Sequence, residues 1–130
     1  MIHSSQGRVF AYGAPADMRK GFDGLHALVR EGMKRDPLTG DLYLFVSRNR
    51  IRAKVLLWDG TGLCLYAKRL ERGRFACLWR RQEGETLELS PNELRLFLEG
   101  CELVGQMRLS PPPMSKKDFL LSRGFGKIAA

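Results

Sequence analysis

The sequence has few of the residues and motifs that enzymes and membrane proteins usually need. Its 130 residues include only two histidines and three cysteines. No Gly-x-Ser-x-Gly, Walker or paired-histidine metal motif is present. The cysteines, at positions 64, 77 and 101, are isolated and odd in number, which argues against a disulfide framework and against a zinc site. No apolar run approaches the roughly 18 residues of a membrane helix. We therefore expect no cofactor and no membrane association.

Length and composition are typical of one globular domain. The hydrophobic share of 44% and the charged share of 28% are ordinary for such domains. The first residues lack the charged-then-apolar layout of a signal peptide, so we expect a cytoplasmic protein. Beyond Gly105 the composition changes, and the prolines at 111–113 favour an extended spacer. We predict one domain over residues 1–105. Residues 106–130 are predicted to be a basic tail that is flexible or docks on a partner as a short helix.

Positive charge is the most distinctive feature of the chain, and it is local. The net charge of the whole protein is +8. Residues 48–81 contain ten lysines and arginines but only two acids, Asp59 and Glu71. Focused charge suggests an anionic partner, most commonly nucleic acid. The alternative is that these cations serve only solubility. It is less favoured, because dispersed charge would serve solubility equally well.

Apolar periodicity predicts an α+β domain. Alternating residues indicate a twisted antiparallel sheet of four to six strands, with two helices packed on one face. A first helix is expected after Asp17, which could cap it, and a second is expected at Ser90, where Pro91 and Glu93 complete a capping box. An unmatched edge strand at residues 8–12 leaves open the formation of a homo-oligomer. The strands are predicted at residues 8–12, 41–46, 51–58, 63–70, 75–79 and 86–89.

A hairpin across the turn at residues 59–62 is predicted to bring the cations together. Basic residues recur at every second position of residues 48–54, and antiparallel pairing would place residues 68–72 beside them. Opposed like charges are costly unless an anion is present, and arginine suits bidentate contact with phosphate. We predict nucleic-acid binding by Arg48, Arg50, Arg52, Lys54, Lys68, Arg69, Arg72 and Arg74, extended by Arg19 and Lys20.

Catalytic residues are poorly supported. Asp17, Asp23, Asp59 and Glu71 could in principle assemble a metal site for phosphodiester chemistry. However, Asp59 lies in a turn, where aspartate is favoured for hydrogen bonding to the backbone, and Glu71 is surrounded by arginines. His26 fits a partly buried helix position better than a catalytic base. We therefore expect no enzyme activity, no catalytic residue and no bound metal.

Several segments together resemble one bacterial family. They are residues 17–25 (DMRKGFDGL), 58–63 (WDGTGL), 68–75 (KRLERGRF) and 87–100, and the resemblance extends in order and spacing over about residues 9–100. The family is the small accessory protein (TnpB, or Orf2-like) of insertion sequences of the IS sixty-six type. It is unrelated to the RNA-guided nuclease that shares the TnpB name. The chain departs from the family pattern after Phe75, where Ala76 and Cys77 replace Trp-Pro.

The resemblance implies an accessory role in transposition beside a separate, larger transposase, and it carries over no catalytic residue. Two hypotheses follow for this mobile-element protein. In the first, the basic surface binds DNA, including the element ends. In the alternative, the protein is an interaction subunit whose basic face meets an acidic patch on the transposase without contacting DNA. A metal-dependent nuclease is a third and less supported hypothesis.

Overall fold

A computed structural model describes residues 7–79 and 84–100 of the chain. The strands are β1 (Val9–Ala11), β2 (Leu42–Val46), β3 (Arg52–Trp58), β4 (Leu63–Arg69) and β5 (Leu87–Leu89). They form one sheet in the order β4-β3-β2-β1-β5. Helix α1 spans Phe22–Ala27 and continues as a π-helical segment, Leu28–Gly32, and helix α2 spans Pro91–Leu98. The α+β class and a sheet of four to six strands, both predicted from the sequence, are confirmed.

The sheet is mixed, so the prediction of a wholly antiparallel sheet is wrong. β1 pairs with β2 in parallel, and the other three pairings are antiparallel. A parallel pair needs a crossover connection, and the chain between β1 and β2 provides it with α1. β1 also pairs with β5 on its other side, so the strand at residues 8–12 is not the free edge that the sequence suggested.

The two helices contact opposite faces of the sheet, which corrects the prediction that both pack on one face. Leu25 and Val29 pack with Tyr43 and Phe45 in one core. On the other face, Phe97 and its neighbours in α2 pack with the alternate residues of β2. Successive residues of a strand point to opposite faces, and every residue of β2 is buried. A strand that is apolar on both sides needs a cover on both.

The segment at residues 75–79 is not a strand, so that prediction is wrong. Phe75, Ala76 and Leu78 are buried in the core on the α2 face. The Phe75 ring stacks on Phe97 with 5.0 Å between ring centroids. The apolar pattern of this segment therefore reflects packing against α2 rather than pairing with another strand.

The start of α1 differs from the expectation that Asp17 caps it. The N-cap residue is Gly21, and no side chain accepts a hydrogen bond there. The helix then widens, since the Met33 amide donates to the Leu28 carbonyl at 3.0 Å, a spacing of five residues that is typical of π-helical turns. Helix α1 therefore depends mainly on the burial of its apolar side against the sheet.

The capping box of α2 is confirmed. The Glu93 amide donates to Ser90 Oγ at 3.1 Å, and the Ser90 amide donates to Glu93 Oε1 at 2.7 Å. Pro91 occupies the first turn, where its missing N–H costs nothing. At the other end of the helix, Lys68 Nζ donates to the Leu98 carbonyl at 2.6 Å. Side chains thus satisfy backbone groups at both ends of α2.

In the described ranges, no helix is both long and apolar enough to cross a membrane. The boundary predicted near residue 105 and the tail predicted at residues 106–130 lie outside the described residues, so both stay predictions.

Replacement of Ser90 by alanine should lower the free energy of unfolding by about 1 kcal/mol, because it removes the acceptor for the Glu93 amide. Urea unfolding monitored by circular dichroism measures the change. Ser90→Asp keeps an acceptor at this position and should restore most of the stability. An unchanged free energy of unfolding in Ser90→Ala would show that the cap does not stabilise α2.

Candidate nucleic-acid interface

The predicted binding residues gather at one end of the sheet. The end of β2, the start of β3 and the end of β4 meet there, as shown by the pairs Val46–Ala53 and Arg52–Arg69. The loop after β1 joins them, because the Ala16 amide donates to the Val46 carbonyl at 2.9 Å. We call this region the basic end, formed by residues 17–21, 47–54 and 67–75.

All ten of the predicted cations lie in the basic end, together with only two acids, Asp17 and Glu71. Both acids are paired with arginines. Arg19 Nη2 lies 2.8 Å from Asp17 Oδ2, and Arg69 Nε lies 3.2 Å from Glu71 Oε2. Hydrogen bonds from the side chain and the backbone N–H of Arg19 lower the pKa of Asp17. These two acids are too few to neutralise the cluster.

Arg52 and Arg69 are directly opposed across the β3–β4 pairing. Opposed residues of an antiparallel pair project from the same face, with Cβ atoms roughly 4.5–5.5 Å apart. Both residues are exposed. Within residues 7–79 and 84–100, Arg52 has no side-chain hydrogen bond or ion pair. Because the ion pair of Glu71 involves only Arg69, the charge of Arg52 is left uncompensated in the described ranges, and an anion above the two arginines would be favourable.

A groove of about 400 Å³ separates the loop after β1 from the hairpin. Met18 and Arg19 line it on the loop side, and residues 52–54 and 67–69 line it on the strand side. Its surface is mostly apolar, although Arg19, Arg52 and Arg69 all border it. The groove lies on the α1 face of the sheet, because Arg52 projects from the same face of β3 as Leu56, which belongs to the core packed against α1.

Lys54 has a structural contact that the sequence did not reveal. Its Nζ donates to the carbonyl of Met18 at 2.9 Å and to the carbonyl of Lys20 at 2.8 Å. These two bonds tie the loop at residues 17–20 to β3. We refer to them as the Lys54 clamp. Lys54 therefore positions the loop wall of the groove.

Arg50 and Lys68 are also engaged within the fold. Arg50 has a positive φ of 61°, and its Nη1 donates to the Phe75 carbonyl at 3.2 Å. In return, the Phe75 amide donates to the Arg50 carbonyl at 2.7 Å. Lys68 projects from the opposite face of the hairpin and reaches the end of α2. The predicted surface thus divides into three cations bonded to backbone carbonyls and seven exposed ones, of which Arg19 and Arg69 pair with acids. The exposed seven are Arg19, Lys20, Arg48, Arg52, Arg69, Arg72 and Arg74.

The turn at residues 59–62 is organised by the Asp59 carboxylate. Oδ1 accepts from the amides of Thr61 and Gly62 at 2.9 and 3.0 Å and from Thr61 Oγ1 at 3.1 Å. Cys64 Sγ donates to Oδ2 at 3.4 Å. These bonds, led by those from the two amides, lower the pKa of Asp59 to about 2. The bond to Asp59 and desolvation raise the pKa of the Cys64 thiol. The Asp59 carboxylate and the Cys64 thiol therefore both stabilise the turn.

The carboxylates considered for a metal site do not converge. Asp17 and Glu71 pair with arginines, and Asp59 closes its turn at the far end of the hairpin. Among the residues that the structure describes, no three His, Cys, Asp or Glu side chains group as metal ligands would.

Two of the segments that carried the family resemblance, residues 17–25 and 68–75, contribute residues to the basic end. A family model described as IS66 Orf2-like protein matches residues 7–108. The chain belongs to the IS66 Orf2-like family. Membership indicates an accessory role in transposition.

Two relatives from Sinorhizobium fredii (strain NBRC 101917 / NGR234) are described only as uncharacterized proteins. The protein y4hO is 41% identical over 103 residues, which are 78% of this chain and 88% of the relative. The protein y4jC is 35% identical over 103 residues, which are 78% of this chain and 86% of the relative. No solved structure matches this chain.

Sequence reasoning missed the groove walls formed by Met18 and Ala67. Period-two alternation along β4 places Ala67 on the same face as Arg69, so this signal was available. Nothing in the sequence around Met18 indicates that the loop folds back over β3, because the Lys54 clamp joins segments far apart in the chain.

Replacement of Lys54 by methionine should lower the free energy of unfolding by about 1–3 kcal/mol, because two hydrogen bonds from a charged donor are lost. Hydrogen exchange of the loop at residues 17–20 should also become faster. Arg52→Met is the matched control on the same strand and face, and it should leave stability unchanged or slightly higher. Equal behaviour of the two variants would contradict a clamp at Lys54.

Replacement of Asp59 by alanine should lower the urea midpoint at neutral pH. The folded pKa of about 2 lies below the ordinary value of 3.8. The stabilisation by Asp59 is therefore complete above about pH 4 and is lost as the pH falls through about 2. The difference between wild type and variant should shrink over that range. A constant difference from pH 6 to pH 2 would assign the effect to something other than the carboxylate charge.

Proposed function

We propose that this protein is a non-catalytic accessory protein of transposition that binds DNA through the basic end of its sheet. The proposal combines the family's role in transposition with a local surface suited to polyanions. Phosphate contacts supply most of the sequence-independent affinity of DNA-binding proteins, and clustered lysine and arginine side chains make such contacts.

The observation that supports the proposal most directly is the opposed pair Arg52 and Arg69. A folded protein gains nothing in stability from two exposed like charges at this spacing. A phosphate placed over the pair would accept hydrogen bonds from both guanidinium groups, whose planar donors suit it. Glu71 compensates only Arg69, so the exposed charge of Arg52 beside it is better explained by an anionic ligand than by stability.

The contacts of the fold refine which residues serve this function. Arg50, Lys54 and Lys68 bond to backbone carbonyls, so we assign them to structure. The seven exposed cations of the basic end form the proposed DNA surface. If about six of them neutralise phosphates, affinity should fall on the order of a thousandfold between 50 and 200 mM salt.

A combined Arg52→Gln and Arg69→Gln variant should bind DNA more weakly than wild type and with a flatter salt dependence. Each lost phosphate contact should reduce the slope of log K against log salt by about one. Fluorescence anisotropy with an element-end duplex and an unrelated duplex of equal length, each at several salt concentrations, measures both quantities. Tighter binding of the element end would add sequence preference to the proposal.

Arg30→Gln with Lys34→Gln is the matched control, since it removes the same charge from exposed residues outside the basic end. It should change affinity much less than the paired variant. If both variants weakened DNA binding equally, the loss would be due to net charge rather than to the position of Arg52 and Arg69. Unchanged affinity and slope in a folded Arg52 and Arg69 variant would refute the proposed surface.

The alternative, docking on the transposase, draws support from the outer edge of β4. This strand of seven residues has β3 on one side, and no strand in the described ranges pairs with its other side. Exposed edges accept strands from partner proteins. Capture of the transposase that survives nuclease treatment would favour direct docking, whereas loss of capture would favour a DNA bridge.

A further inference from the structure

We infer that the groove beside the opposed arginines takes an unpaired nucleotide of DNA, so that the protein prefers DNA with a single-stranded end over a blunt duplex. The inference rests on the proposed function, because it concerns the same surface, and it assigns the kind of DNA that the surface selects. Its basis is the size, the chemistry and the rigidity of the groove.

The size of the groove favours a ligand of roughly one nucleotide. Its volume of about 400 Å³ lies in the range of about 300–1,000 Å³ that is common for sites of small organic ligands. A duplex cannot enter such a groove, since the major groove of B-DNA alone is about 12 Å wide. A duplex could contact only the cations at the rim, which would leave the interior of the groove empty.

The chemistry of the groove suits a base as well as a phosphate. Phosphate alone would favour a wholly polar surface, but most of the surface here is apolar. Met18 and Ala67 contribute apolar atoms, and a methionine thioether makes favourable contacts with aromatic rings. Arg19, Arg52 and Arg69 border the same space, and guanidinium groups both stack on bases and bind phosphate. In a duplex the base faces are already stacked, so this combination suits an unpaired nucleotide.

The Lys54 clamp holds the loop wall of the groove in place without a ligand. Its two hydrogen bonds fix the carbonyls of Met18 and Lys20, which flank Arg19. A preformed wall reduces the ordering cost of binding. Lys54 therefore contributes to this site as a positioning residue.

The test compares three labelled DNAs at one salt concentration: a blunt duplex and the same duplex with a short 3′ or 5′ single-stranded extension. Wild-type protein should bind at least one extended duplex about tenfold more tightly than the blunt one, the effect expected of one stacked base. Ala67→Met should abolish that preference, because the added side chain fills the space that the unpaired base would occupy. Ala67 is exposed, so the added bulk enters the groove without disturbing the core, and Ala67→Leu provides a second, smaller filling.

Tyr66→Trp is the control, since it enlarges an exposed neighbour on the opposite face of β4 and should keep the preference. Equal binding of blunt and both extended duplexes by wild-type protein would overturn the inference and leave the proposed function standing. A preference that persists in folded Ala67→Met and Ala67→Leu would also overturn it. No binding to any of the three DNAs at low salt would refute the proposed function itself.

Discussion

The burial of β2 on both faces is the constraint on which the rest of this structure depends. All five residues of the strand are buried, so each face must be covered by another part of the chain. Helix α1 covers one face within the crossover from β1, and α2 covers the other with Phe75 packed beside it. The loops at one end of the strand carry the charged residues. The basic end lies beyond the buried residues of β2, so its side chains can be charged and exposed.

Local signals allowed much of this fold to be predicted from the sequence. The capping box of α2 and the turn at Asp59 involve residues a few positions apart, and both are present in the structure. The parallel pairing of β1 with β2 and the placement of the helices on opposite faces were not predictable in this way. They depend on which face of the sheet each helix packs against, and an apolar pattern alone does not specify that face. Residues 75–79 show the same limit, because a buried loop segment and a strand share one pattern.

The candidate site was predictable as a region but not as a set of roles. Charge clustering selected ten cations, and all ten lie at one end of the sheet. It could not separate Lys54 from Arg52, since alternation puts both on one face of β3. Their roles differ because the loop after β1 passes within reach of Lys54 Nζ, whereas Arg52 is opposed by Arg69. Long-range contact, rather than residue type, decides which cation is structural.

The distinction between structural and ligand-facing residues also limits what the family resemblance says about function. In its two most recognisable segments, residues 17–25 and 58–63, Asp17 binds Arg19 and Asp59 closes a turn. These contacts stabilise loops and require no ligand. The resemblance at Asp17 and Asp59 is therefore explained by loop structure, and it says little about what the family binds. Evidence for DNA binding must come instead from Arg52 and Arg69, whose side chains stabilise nothing in the described structure by facing each other.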